Sequence, residues 1–175
     1  MMIWNILFVS LVVIYTAAAA VIDLRQHRIP NYLTVPAAVL GLLFHTFMPA
    51  GEGVLYSLGG FAIGFGLLLL PWLLGGGGMG DVKLLAALGA WLGPYWMLLC
   101  FTLSTVLALG IAGGMMLRSA STEGMSRTRT RFLESAQGKD REGNKRKVKR
   151  AVPFAVPVAL STWLLLAWIV SQGQL

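Results

Sequence analysis

Residues 84–117 form a stretch of 34 residues without a charged side chain. As one α-helix this stretch would be about 51 Å long, whereas the hydrocarbon core of a bilayer is about 30 Å thick. It is therefore too long for one transmembrane helix and too short for two full ones. Gly93 and Pro94 lie inside it, and such a pair marks a turn because proline interrupts a helix. The sequence predicts a short helix before this pair and a full transmembrane helix after it.

The rest of the chain contains four more long apolar segments. Hydrophobic residues make up 57% of the protein and charged residues only 12%, against about a quarter charged in a soluble domain. No Lys or Arg precedes the first apolar segment, so we interpret that segment as a retained helix rather than a signal peptide. We predict an all-α polytopic membrane protein, with one membrane-embedded domain over 1–175 and six transmembrane helices. The predicted helices cover 3–22, 32–47, 54–74, 82–92 (the short fourth helix), 95–117 and 152–170.

Basic residues are concentrated in one segment. Eleven of the 14 Lys and Arg residues lie within 118–150, and the others are Arg25, Arg28 and Lys83. Cytoplasmic loops are rich in Lys and Arg, and only six crossings with both termini outside place all of these residues in such loops. We therefore predict a basic cytoplasmic loop over 118–150, disordered or lying on anionic membrane lipid. No folded basic module accompanies this charge, so nucleic-acid binding is not expected.

Acids are rare outside that basic segment, where only Asp23, Glu52 and Asp81 occur. Asp23 follows one predicted crossing and Asp81 follows three, so both lie on the same side of the membrane. Acids at a membrane boundary are costly and often functional. Asp81 could simply cap the fourth helix, but Asp23 lies at the end of the first helix, where negative charge is disfavoured. These positions favour a functional pair.

A pair of aspartates can hydrolyse a peptide bond. Two neighbouring carboxyl groups resist ionising together, so one stays charged and activates water while the other keeps its proton and polarises the carbonyl. The sequence does not say which aspartate has which role. His27, His45 and Cys100 make a poor zinc set, so we expect no metal and no cofactor. The alternatives are a small proton- or cation-coupled transporter, whose acids would lie near the bilayer midplane, and a non-enzymatic scaffold, which needs no acid pair.

Two short motifs surround these aspartates, "DLRQHRIPNYL" at 23–33 and "GMGDVK" at 78–83. Together they resemble the two motifs of the type IV prepilin peptidases, which are bacterial aspartic membrane proteases, and the resemblance covers 3–117. It implies that Asp23 and Asp81 are catalytic and that the substrates are pilin-like precursors with a short basic leader. It also implies cleavage at the cytoplasmic face of the bacterial inner membrane.

One departure from the long members of that family is the connection "DLRQHRIPN" between the first two helices. Long members carry a cysteine-containing insert there that is linked to N-methylation of the pilin. The short connection resembles the peptidases of tight-adherence (Flp) pilus systems, so we expect no methyltransferase activity. The sequence leaves the oligomeric state open.

Further residues around the motifs are candidates for supporting or substrate-binding roles. Lys83 either tunes Asp81 and binds substrate backbone or only anchors the topology, and Arg28 is interpreted as an anchor. Pro30 and Asn31 are expected to set the turn into the second helix, although Asn31 could instead bond near the catalytic pair. Glycines such as Gly78 and Gly80 could let Asp81 move and leave room for an extended substrate.

Three glycine pairs have the GxxxG spacing that lets helices approach closely in lipid. They are Gly60/Gly64, Gly89/Gly93 and Gly110/Gly114. We predict that all three are contacts between helices within the molecule.

Overall fold

The computed structural model describes residues 2–26, 28–74, 78–123 and 154–173, and these residues are helical apart from short turns. Three of the helices are long and apolar enough to cross a membrane, over Ile3–Gln26, Val54–Leu73 and Met79–Met115, and two shorter apolar helices accompany them. The five helices are α1 (Met2–Gln26), α2 (Asn31–Phe47), α3 (Val54–Leu73), α4 (Met79–Glu123) and α5 (Ala155–Ser171). The prediction of an all-helical chain is confirmed for the described residues, and the three long apolar helices agree with a membrane protein. The six spans and the orientation of the termini stay predictions.

Helix α4 is interrupted where the sequence predicts it. Gly93 has φ 75° and ψ 178°, which is not helical, and Pro94 follows it. Before the break α4 runs parallel to α2, because Lys83 bonds Asn31 and His45 bonds the Trp91 carbonyl. The backbone therefore leaves the helix at a residue without a Cβ, where a positive φ costs little.

Beyond the break the direction of the chain reverses. Trp96 packs against Trp168 with 6.2 Å between ring centroids, and Cys100 Sγ lies 3.2 Å from Thr162 Oγ1. This part of α4 is thus antiparallel to α5. Helix α5 is antiparallel to α1, because Ala155 bonds Asp23 and Trp163 bonds Thr16. Helix α1 is antiparallel to α2, since Phe8 packs against Phe44, and α3 is antiparallel to the first part of α4. The two parts of α4 therefore run in opposite directions, and the described helical segments alternate in direction along the chain.

The part of α4 before Gly93 is the centre of the molecule. Its side chains Val82, Leu84, Leu85 and Leu88 are almost completely buried. Helix α3 lies directly against it, since a Cβ built at Gly60 would overlap the Gly89 carbonyl oxygen and one at Gly64 would overlap that of Leu85. The predicted contacts at these glycines are confirmed.

The third glycine pair behaves differently. A Cβ built at Gly110 or Gly114 would meet nothing within 4 Å. The prediction that this pair is a contact within the molecule is therefore wrong. Gly110 and Gly114 are both exposed, so the pair has no partner helix among the described residues.

The break in α4 frees carbonyl groups that side chains from α2 and α3 satisfy. Ser57 Oγ donates to the Ala90 carbonyl at 2.6 Å, and Tyr56 Oη donates to the Leu92 carbonyl at 2.8 Å. His45 Nε2 lies 2.8 Å from the Trp91 carbonyl, while its Nδ1 accepts the Glu52 backbone N–H at 3.2 Å. These contacts together require a proton on Nε2. Buried carbonyls left unpaired would be costly, so this network stabilises the break.

Three helix ends extend at least three residues beyond the predicted bounds. Helix α1 continues to Gln26 and α4 begins at Met79, so Asp23 and Asp81 both lie inside helices, in the last and first turns. Helix α4 also continues to Glu123, which makes residues 118–123 helical. The remainder of the predicted basic loop, 124–150, lies outside the described residues, and so does His27.

Candidate active site

Four helix ends meet at one end of the bundle. Helix α1 ends there and α2 starts after a short connection, while Asn31 of α2 bonds Lys83 near the start of α4. The start of α5 joins them through a bond between Ala155 and Asp23. Both candidate aspartates therefore lie at the same end of the molecule, as the count of crossings predicts.

Asp23 is buried, with 2% of its surface exposed, in the last turn of α1. Its Oδ2 accepts the backbone N–H of Ala155 at 3.2 Å. Ala155 is the first residue of α5, where free N–H groups and the helix dipole favour negative charge. The end of α1 disfavours this carboxylate, and the start of α5 offsets that disadvantage.

Asp81 is also buried, with 7% of its surface exposed, and lies in the first turn of α4. Its backbone N–H donates to the Gly78 carbonyl at 3.0 Å, which closes the turn that starts the helix. The N-terminal turn of a helix is a favourable place for a negative charge. Each candidate aspartate is thus associated with the start of a helix, Asp81 with its own helix and Asp23 with another.

The glycine before Asp81 permits a close approach between two motifs. A Cβ built at Gly80 would lie 3.3 Å from the backbone nitrogen of Ile29, which is closer than Cβ atoms usually come. Ile29 is buried in the connection between α1 and α2. The start of α4 therefore packs against the segment that directly follows Asp23, and the two motifs form one structural unit.

Of the predicted supporting residues, Lys83, Pro30 and Asn31 make contacts at the start of α2, whereas Arg28 lies on the surface. Lys83 Nζ donates to Asn31 Oδ1 at 2.8 Å, which joins α4 to α2. Pro30 is the N-cap residue of α2, and its carbonyl accepts the N–H groups of Leu33 and Thr34 at 3.2 and 3.4 Å. The expected turn at Pro30 and Asn31 is confirmed, whereas Arg28 is exposed. The roles of these residues in substrate binding stay predictions.

Thr34 is a polar residue at this end that the sequence reasoning missed. It lies one turn after Asn31 on the same face of α2, and 2% of its surface is exposed. Among the buried side-chain atoms of the described residues, its Oγ1 is the one without a hydrogen-bond partner. A Thr inside an apolar helix gives no sequence signal of this kind, because its hydroxyl usually bonds its own helix.

A cavity of about 130 Å³ lies at the opposite end of the bundle. His45, Glu52, Tyr56 and Trp96 contribute to its lining, and neither aspartate does. The cavity is next to the network that stabilises the break in α4, so we do not include it in the candidate active site. In the described part of the chain, no three His, Cys, Asp or Glu side chains gather as metal ligands would.

Comparison with known proteins decides the family. The model of the Type IV leader peptidase family matches residues 7–113, which contain both motifs. The chain belongs to this family. Helix α5 lies outside the matched residues, although it contacts Asp23.

Several curated relatives of this leader peptidase family are named "Prepilin leader peptidase/N-methyltransferase". The protein from Aeromonas salmonicida (strain A449) is 28% identical over 175 residues, which cover 94% of this chain and 50% of the relative. The protein from Xanthomonas campestris pv. campestris is 30% identical over 164 residues, covering 88% and 47%. The protein from Dickeya chrysanthemi is 44% identical over 85 residues, covering 43% and 29%. The chain spans about half the length of the relatives from Aeromonas salmonicida and Xanthomonas campestris. No solved structure matches it.

Proposed function

We propose that this protein is an aspartic endopeptidase that removes the short basic leader from type IV prepilin-like precursors. The observation that supports this most is the burial of Asp23 and Asp81 at the same end of the bundle, at the ends of helices whose adjoining motifs pack together. Membership of the Type IV leader peptidase family supports the substrate class. The names of the relatives describe the same reaction.

The proposed chemistry uses the two carboxyl groups as a coupled pair. The charged carboxylate takes a proton from water as the water oxygen attacks the scissile carbonyl carbon, and the protonated partner donates a hydrogen bond to the carbonyl oxygen. Collapse of the tetrahedral intermediate breaks the C–N bond, and the leaving nitrogen takes up a proton from the pair. Both aspartates are associated with helix starts, so this geometry leaves open which of them is charged first.

The proposed site lies at the cytoplasmic face of the bacterial inner membrane. This placement is supported by the alternation of helix directions, which suits six crossings with both termini outside, and by the positions of Arg25, Arg28 and Lys83 at the end that holds both aspartates. We further propose that this chain does not methylate the pilin. The connection between α1 and α2 is only residues 27–30, which is too short for the insert that the resemblance to long family members links to methylation.

A proton- or cation-coupled transporter is the weaker alternative. Transport sites lie near the middle of the bilayer, where helices are interrupted. In this chain the interruption at Gly93 is at the end of the bundle opposite to the aspartates. A transporter of this kind would need its acids beside the interrupted helix. Asp23 and Asp81 instead lie at the other end of the bundle from Gly93.

Co-expression with a prepilin tests the proposal. The measurement is the fraction of precursor that loses its leader, resolved by gel electrophoresis. We expect Asp23→Asn and Asp81→Asn each to abolish processing, because an amide cannot take or hold the required proton. Asn keeps an oxygen that can accept the Ala155 N–H, so Asp23→Asn should still fold.

Glu52→Gln provides the control, since Glu52 is the acid at the opposite end of the bundle, beside the cavity. This variant should process the precursor at the normal rate. Complete processing by either aspartate variant would refute the catalytic assignment.

A further inference from the structure

Helix α5 lies outside the residues that match the family model, yet it contacts a candidate catalytic residue. The Ala155 N–H donates to Asp23 Oδ2 at 3.2 Å, and 1% of Ala155 is exposed. This bond joins residues 132 positions apart in the sequence. Among the described residues, this bond engages Oδ2, one of the two oxygens of the Asp23 carboxylate.

We infer that the first turn of α5 is part of the active site and that the Ala155 N–H positions the Asp23 carboxylate for catalysis. This inference rests on the proposed function. The terminal torsion of an aspartate has a broad, shallow preference, so the side chain alone does not fix the direction of its oxygens. A donor on Oδ2 fixes that torsion and directs Oδ1 to the reacting groups.

Helix α5 is held in place by contacts far from Asp23. Trp163 Nε1 donates to Thr16 Oγ1 at 3.0 Å, and Cys100 Sγ lies 3.2 Å from Thr162 Oγ1. Trp163 is about 12 Å along the helix axis from Ala155. The donor is therefore held by packing that does not depend on the carboxylate, as a preorganised positioning group requires.

Because these contacts hold α5 independently of Asp23, the helix orients the carboxylate rather than the reverse. Asp23 lies in the last turn of α1, where its own helix disfavours negative charge. Ala155 N–H is a free donor at the start of a helix that is fixed elsewhere. Helix α5 thus orients Asp23, and Ala155 acts as a positioning residue although its side chain has no reactive group.

Replacing the backbone N–H of Ala155 with an ester oxygen tests the inference. Incorporating lactic acid at position 155 of the full chain removes this one donor and keeps the side chain. We expect kcat for leader removal to fall about tenfold or more, the effect of losing a hydrogen bond to a charged group. KM and the amount of protein in the membrane should stay unchanged, since the substrate does not bind through this N–H.

The matched control is the same ester at Val158, whose N–H donates to the Phe154 carbonyl at 3.4 Å in the same turn. It should leave kcat within about twofold, because that N–H bonds a backbone carbonyl rather than the carboxylate. Equal losses of kcat in both esters would show a general effect on α5 and would overturn the inference.

A second variant keeps the inference testable if the ester protein does not fold. Trp163→Phe removes the donor to Thr16 and loosens α5 without touching Asp23. We expect a lower kcat per folded molecule with an unchanged KM, and an unchanged kcat would overturn the inference.

The outcomes for the further inference and for the proposed function are distinguishable. Normal kcat in the Ala155 ester together with an inactive Asp23→Asn would refute only the role of α5. An active Asp23→Asn would refute the proposed function itself.

Discussion

A carboxylate buried in an apolar bundle needs hydrogen-bond donors, and Asp23 takes one from the first turn of α5. The position of Asp23 in the last turn of α1 is unfavourable when α1 is considered alone. The start of α5 makes the same position favourable. A single residue therefore joins the first and last helices and is also a candidate catalytic group.

Thr34 shows the opposite situation, because its buried hydroxyl has no partner among the described side chains and backbone groups. An unsatisfied buried hydroxyl costs about 1–3 kcal/mol, and replacing it with a group of the same shape removes that cost. We expect Thr34→Val to raise the free energy of unfolding by about 1 kcal/mol. Thermal unfolding in detergent measures this change.

Thr16→Val is the matched control for Thr34→Val. Thr16 Oγ1 donates to the Val12 carbonyl at 2.8 Å and accepts the Trp163 indole N–H at 3.0 Å. This variant leaves the indole N–H unpaired and should lower stability. A loss of stability in Thr34→Val as large as in Thr16→Val would show that the Thr34 hydroxyl has a partner.

At the scale of helices, the interface between α3 and α4 depends on the absence of side chains. Gly60 and Gly64 of α3 lie against the backbone of α4 at Gly89 and Leu85. Close backbone approach gives tight dispersion contacts in lipid, where apolar side chains gain little by meeting because the lipid tails are equally apolar. The short part of α4 before Gly93 can therefore be buried at the centre while three other helices still reach its backbone carbonyls.

Gly60→Ala tests this interface. The new Cβ would overlap the Gly89 carbonyl oxygen, a backbone atom that cannot rotate away. We expect the free energy of unfolding to fall by about 1–3 kcal/mol, as in other overpacked sites. Thermal unfolding in detergent and the yield of folded protein measure the effect.

Gly66→Ala, on the same helix, is the control, since a Cβ built there would meet nothing within 4 Å. Alanine is the better helix former by about 1 kcal/mol, so this variant should be as stable as the wild type or more stable. Equal stability of the two variants would mean that α3 and α4 do not approach as closely as described.

At the scale of the whole molecule, the helical segments alternate in direction and bring the starts of α2, α4 and α5 to the end of α1. Six crossings would put this end in the cytoplasm and the cavity beside Glu52 outside. Gln26 and Glu52 are both exposed and mark these two ends. Their accessibility therefore reports the orientation.

Cysteine labelling in intact cells tests this topology. Cys100 is buried and provides an unreactive background. We expect Glu52→Cys to react with a membrane-impermeant maleimide added from outside, and Gln26→Cys to react only after the membrane is opened. The reverse pattern would invert the topology, and labelling of both from outside would contradict the six-span arrangement.

The chain's own pattern of charge and apolar length was sufficient to predict the helices, the interruption at Gly93 and the two candidate aspartates. These predictions depend on local physics: the length needed to cross a bilayer, the effect of a Gly-Pro pair, and the cost of an acid in an apolar chain. The close packing of α3 on α4 was also predictable from glycine spacing. The same spacing at Gly110 and Gly114 led to a wrong prediction, because spacing does not say whether a partner helix is present.

The tertiary structure alone decided which groups contact the aspartates. No local pattern near Asp23 indicates a bond to Ala155, and no pattern near His45, Tyr56 or Ser57 indicates that they satisfy the carbonyls freed in α4. Hydrogen bonds between distant segments depend on how helices pack, and packing depends on all the side chains together. The sequence therefore determined where charge is placed along the chain, and the packing of α5 against α1 determined what surrounds that charge.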